Sequence, residues 1–135
     1  MEKVTRIAIS LEPELLDRFD DRTKQQGYTN RSEAVRDLIR AYLASDEWDR
    51  GIGTVIGSIT ATYDATKTGL AEKVARIEHA SNSVIHCSSL VRLDERNCIE
   101  VLIVQGSAFE LQELANKIRT VKGVKHVQLT KTTVK

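Results

Sequence analysis

Residues 6–11, Arg-Ile-Ala-Ile-Ser-Leu, alternate strictly, and no second strand-like segment follows before Gly53. A period of two puts Ile7, Ile9 and Leu11 on one face and Arg6, Ala8 and Ser10 on the other, the pattern of a half-buried strand. Two helices come next. Pro13 sets the first, with Glu12 and Glu14 matched to the positive helix N-terminus. Leu15, Leu16 and Phe19 supply its apolar stripe, and Gly27 is a good terminator. Asn30 is a strong N-cap for the second, with Glu33 placed as in a capping box. Ala34, Val35, Leu38, Ile39, Tyr42 and Leu43 then recur along one wide face. Three such elements, about 40 residues together, cannot bury a core alone. A lone strand also has unpaired edges. The segment is therefore constrained to a dimer in which each strand pairs with its own copy.

Beyond Ala44, the polar run Ser45-Asp-Glu-Trp-Asp-Arg-Gly51 reads as a linker. The domain expectation is 1–45, a linker at 46–52, and a second domain at 53–135. In that domain, 54–63 is β-branched and strand-like. Leu70, Val74 and Ile77 mark a helix over 67–80. Strands follow at 84–93 and 98–104, separated by a turn at Arg96-Asn97. Phe109, Leu111, Leu114 and Ile118 mark a helix over 108–121, and a last strand spans 124–134. This βαββαβ order is that of a split-βαβ, ferredoxin-like domain, so the fold class is α+β.

The chain has 135 residues, 41% hydrophobic and 29% charged, with a net charge of +1. That balance gives no general attraction to nucleic acid or membrane, so a DNA reader must place its positive charge locally. No apolar run approaches the ~20 residues of a membrane span. The start, Met1-Glu2-Lys3-Val4-Thr5-Arg6, lacks the apolar core of a signal peptide. A cytoplasmic protein with reduced thiols is expected. Cys87 and Cys98 match no zinc-knuckle spacing. Nor do the histidines and cysteines compose a nucleophile–base–orienter set, so no enzyme is expected. The glycines at 51, 53 and 57 precede a strand rather than a helix, which is not a phosphate loop.

The outer face of the first strand carries the functional reading. A two-stranded antiparallel ribbon fits the major groove of double-stranded DNA. Arg6 can pair bidentately with guanine, Ser10 can bond several base edges, and Ala8 can touch a thymine methyl. Asn30, Arg31 and Ser32 open a helix whose N-terminus suits a phosphate. The acidic Asp17, Asp20 and Asp21 should face away from the groove. Strand and cap are each ordinary taken singly; their succession within 45 residues favours DNA binding.

On Arg6–Leu11 and Gly27-Tyr-Thr-Asn-Arg-Ser-Glu-Ala34 the first module resembles ribbon-helix-helix repressors. With the second domain, essentially the whole chain resembles the nickel-responsive regulator family. That resemblance implies a homotetramer, a dimer of dimers around an ACT-type core. It implies base contacts from positions 6, 8 and 10, and an inter-domain cation site using Glu33 and Asp37. It also implies a nickel motif, His-x-His-x5-Cys plus one histidine from a neighbouring subunit. Here Cys98 matches the cysteine, His79 the neighbour's histidine, and Glu100 a supporting carboxylate. The two strand histidines are replaced by Leu90 and Arg92, so the site is incomplete and the cofactor is either a nickel ion or none. Leucine cannot donate, and Arg92 is a permanent cation, expected to pair with Glu100 or the Cys98 thiolate. His86, about 13 Å from Leu90 at 3.3 Å per residue, cannot stand in. Cys87 is expected to be buried, His86 a surface residue, and His126 structural. The function expected is a repressor gripping a palindromic operator. The alternative is an amino-acid-responsive regulator, with polar groups from Tyr63-Asp64-Ala65-Thr66. A patterned, strand-rich second half argues against an antitoxin tail.

Overall fold

The computed structural model describes residues 3–135. Met1 and Glu2, part of the start expected to carry no signal peptide, lie outside the described residues. The chain divides into two compact units, Met1–Ile39 and Arg40–Lys135.

In the first unit, residues 3–12 carry no ladder, turn or bend, and all are exposed. The expected half-buried strand is thus neither paired nor buried within one chain, because a single chain offers it no partner. Helix α1 spans Pro13–Gln25 with Pro at its start. It closes where Gly27 adopts φ 87°, a left-handed conformation only glycine takes without strain. There the Gly27 and Tyr28 amides donate to the Lys24 and Thr23 carbonyls, each at 3.0 Å. The buried Thr23 donates its hydroxyl to Asp20 O at 3.0 Å.

Helix α2 spans Arg31–Arg50 and crosses the unit boundary. The expected linker over 46–52 is therefore corrected: helix continues to Arg50. Ala44 and Trp48, one turn apart and both 5% exposed, give this stretch an apolar stripe. Its polar residues form the solvent face, where Arg50 pairs with Asp46 at 3.0 Å and Lys135 with Glu47 at 2.7 Å.

The second unit holds β1 (Val55–Asp64), α3 (Leu70–Ala80), a 3-10 turn at Asn82–Val84, β2 (Ile85–Arg92), β3 (Asn97–Gly106), α4 (Ala108–Arg119) and β4 (Val124–Thr132). The sheet order is β2-β3-β1-β4, all neighbours antiparallel. Both faces of central β1 are covered in alternation, buried then half-buried along its whole length. Leu111, Leu114, Ala115 and Ile118 of α4 pack on Ile59, Leu102, Val104 and Val127, with Trp48 joining the same cluster. Leu70 and Val74 of α3 pack with Tyr63 and Cys98 in a second cluster. Gly57 lets these layers close: a Cβ there would lie 2.5 Å from Thr130 O and 3.0 Å from the Trp48 ring. Helix α3 starts three residues later than expected. Asp64 holds a turn before it, accepting from the Thr66 amide at 2.9 Å and its hydroxyl at 2.6 Å, and Gly69 at φ 79° then opens the helix. A capping box not expected from the sequence starts α4. Ser107 Oγ accepts from Glu110 N at 3.1 Å, and Ser107 N donates to Glu110 Oε1 at 3.2 Å.

Candidate functional site

Arg6, Ala8 and Ser10 all lie in the exposed N-terminal segment, as do their apolar alternates. Ile7 is 71% and Ile9 64% exposed, a cost in water that one chain has no means to relieve. The Asn30 side chain caps α2, its Oδ1 accepting from Glu33 N at 2.9 Å. Arg31 is held bidentately by Asp20, Nε to Oδ1 at 3.1 Å and Nη2 to Oδ2 at 2.8 Å. This pair ties the start of α2 to α1. It holds the Asp20 carboxyl below its usual range and the Arg31 guanidinium above its own. A phosphate at this helix start would therefore meet an already neutralised arginine, with Ser32 exposed beside it. Glu33 and Asp37 are one turn apart on α2 and exposed. Tyr28 donates its hydroxyl to Asp37 Oδ2 at 2.5 Å, which raises the Tyr28 pKa.

In the second unit the β2–β3 ladder sets Leu90 opposite Glu100 and Arg92 opposite Cys98. Opposed residues of an antiparallel pair share a face, so these four side chains rise from one side of the sheet. Cys98 and Glu100 are buried, each 7% exposed, whereas Leu90 on the edge strand is 55% exposed. The expected pairing of Arg92 with Glu100 or Cys98 is corrected. Its Nε donates to Asp94 O at 3.2 Å and its Nη2 to Glu95 O at 2.8 Å. Short connections leave carbonyls turned outward, and this guanidinium satisfies two of them. Asp94 braces the same turn, accepting from the Asn97 side-chain amide at 3.0 and 3.1 Å and from the Arg96 and Asn97 backbone amides at 2.8 Å each, so its carboxyl is held below its usual range.

Glu100 meets Glu78, a residue that sequence reasoning did not single out. Burial raises the Glu78 carboxyl to about 8, helped by the Glu100 charge and a hydrogen bond between the two. Burial raises Glu100 as well. Its Oε1 is buried without a hydrogen-bond partner among the described residues. Tyr63, in the cluster with Cys98, is pushed up to about 12 by burial and by Glu100, Cys98 and Glu78. The signal for Glu78 was present: it falls one turn after Val74, inside the apolar stripe of α3.

Other candidates scatter. His79 is exposed near the end of α3. His86 is exposed, and its Nε2 meets Gln105 Oε1 at 2.7 Å. A bulge between Ile85 and Cys87 shifts the strand register there. Cys87 is exposed rather than buried, because β2 is an edge strand whose side chains stand clear of the helices. His126, expected to be structural, is also exposed, opposite Thr62. Asp64 and Thr66 bond each other. A cavity of about 130 Å³ lies elsewhere, lined by Ser81, Ser83, Glu110, Glu113 and Lys117 among others. Among the described residues, no three His, Cys, Asp or Glu side chains are grouped to hold a metal ion. No helix among them is long and apolar enough to cross a membrane.

Residues 56–132 match the family described as NikR C terminal nickel binding domain. Residues 5–45 match the ribbon-helix-helix protein, copG family. A protein of Thermococcus onnurineus named "Putative nickel-responsive regulator" is 39% identical over 131 residues, 97% of this chain and 95% of that one. One of the same name from Geobacter metallireducens is 41% identical over 133 residues, 98% of this chain and 96% of that one. Among solved structures, an uncharacterized protein of Thermotoga maritima superposes with a TM-score of 0.54 at 15% identity. The match covers 58% of this chain and 98% of that one, and shows a shared fold in the second unit.

Proposed function

This chain belongs to the nickel-responsive regulator family, and on that footing we propose that it represses transcription by gripping a palindromic operator through a β-ribbon shared between two copies. It is a DNA-binding transcriptional regulator of the ribbon-helix-helix type and not an enzyme.

The observation that carries the operator reading is the solitary exposed segment 3–12, in which Ile7, Ile9 and Leu11 alternate with Arg6, Ala8 and Ser10. Pairing two copies buries Ile7, Ile9 and Leu11, each worth up to about 1.5–3 kcal/mol when fully buried. The same pairing leaves Arg6, Ala8 and Ser10 on the opposite face, sized for the major groove. Asn30, Arg31 and Ser32 approach the flanking phosphates, the α2 amides contributing where Asp20 has neutralised Arg31. Ferredoxin-like units join two such dimers into a homotetramer working in the cytoplasm. Two ribbons fit a palindrome at one separation only, and whatever selects that arrangement raises affinity by a population shift.

The test is binding of the DNA upstream of the protein's own coding sequence. Arg6→Ala should weaken specific binding by about 1–3 kcal/mol and leave nonspecific binding nearly unchanged. Specific affinity unaffected by that change would remove the ribbon as the reader.

A further inference from the structure

The described residues do not fit the ion that the family domain is named for. We infer that this chain does not coordinate nickel in its second unit and binds DNA independently of that metal, because Leu90 and Arg92 stand where an ion beside Cys98 and Glu100 would need donors.

Opposed residues on an antiparallel ladder have Cβ atoms about 4.5–5.5 Å apart. An ion on Cys98 Sγ would therefore look to the Arg92 side chain for its next donor on the same face. That side chain has no lone pair to give and carries a permanent positive charge. Its guanidinium already turns to the Asp94 and Glu95 carbonyls and so holds the β2–β3 turn. Opposite Glu100, Leu90 offers only methyl groups. The donors left at these four positions are one thiol and the Glu100 carboxyl, which is hydrogen-bonded with Glu78. Nickel favours imidazole and thiolate nitrogen–sulfur sets. Here His79, exposed near the end of α3, and His86, exposed on β2, belong to no donor group among the described residues. The position opposite the thiol thus carries a permanent cation instead of a donor, its guanidinium engaged at the adjoining turn. Only the DNA half of the inference rests on the function proposed above; the coordination half stands alone.

Tag-free full-length protein, stripped with a chelator, is titrated with nickel chloride by calorimetry and by absorbance in the thiolate-to-nickel charge-transfer region. Wild type and Cys98→Ser should bind equally weakly, without the charge-transfer band. A Leu90→His, Arg92→His double variant should bind roughly a hundredfold more tightly. Should that variant fail to fold, the wild-type and Cys98→Ser comparison still decides. Stoichiometric sub-micromolar binding by the wild type, lost in Cys98→Ser, would overturn the inference. The same proteins are then mixed with the upstream duplex, in chelator and in nickel. Wild-type affinity should change by less than about twofold; binding seen only with nickel would also overturn it. No binding in either condition would remove the operator reading, while the nickel titration would still decide the question of coordination.

Discussion

Glu78 and Glu100 place two carboxyls on the inner side of the sheet, where burial favours the neutral form of both; the Glu100 charge favours it further at Glu78, while the hydrogen bond from Glu78 favours the charged form of Glu100. The two titrate as a pair, and at neutral pH they hold a proton between them. The folded Glu78 carboxyl sits at about 8, against 4.5 for the ordinary group. The folded state therefore binds the proton more tightly than the unfolded chain does. The resulting stabilisation is fully present below the ordinary value and is lost as pH rises through about 8. The melting temperature of the second unit should accordingly fall between mildly acidic and mildly alkaline buffer. Glu78→Gln should flatten that fall; an unchanged pH profile in the variant would show that the pair does not carry it. Cys98 and Glu100 were legible in the sequence because family spacing pointed at them. Glu78 was visible only as a carboxyl inside the apolar stripe of α3; that it meets Glu100 comes from α3 lying over β3, a long-range packing relation. Arg92 shows the same limit. Its register opposite Cys98 followed from strand pairing, but its choice of the turn carbonyls depended on the shape of the 93–96 connection.

At the scale of elements, α2 is where sequence and structure part most. Its start is encoded locally: Asn30 accepts the Glu33 amide, and Asn30→Ala should cost about 0.5–2 kcal/mol in chemical unfolding of the N-terminal unit. Its end is not. A polar run from Ser45 to Arg50 reads equally as linker or as the wet side of a helix. Trp48 decides between them by entering the core beside Ile59 and Val127 and resting on Gly57. Trp48→Ala should therefore cost about 3–5 kcal/mol in the denaturant unfolding of the second unit. A linker residue would cost almost nothing. The strands of the second unit were legible within a residue or two, because β-branched alternation and turn residues are local signals; the turn expected at Arg96-Asn97 falls at 93–96, with Asn97 already in β3. Helix α3 came out shorter for a local reason too, the turn held by Asp64 and Thr66 and the left-handed Gly69.

At the scale of the whole molecule, one chain leaves Val4, Ile7, Ile9 and Leu15 of the first unit more than half exposed. Exposed apolar side chains gathered in one short stretch of sequence mark an interaction face. If a second copy covers it, folding of the first unit is linked to association, and its apparent melting temperature should rise with protein concentration. Ile9→Lys should abolish that dependence and shift the protein toward smaller species in sedimentation. A dependence that survives the substitution would place the interface elsewhere.

The order of elements in the second unit and the α+β class were present in the sequence, since each follows from short-range periodicity; the first strand was an expectation that one chain leaves unpaired. The missing donors at 90 and 92 were equally plain, being matters of residue identity. Tertiary structure alone decided that Trp48 belongs to a core, that Glu78 faces Glu100, that Asp20 neutralises Arg31 and that Cys87 is exposed. Each of these depends on which segments meet in space, and that is set by packing across distant parts of the chain.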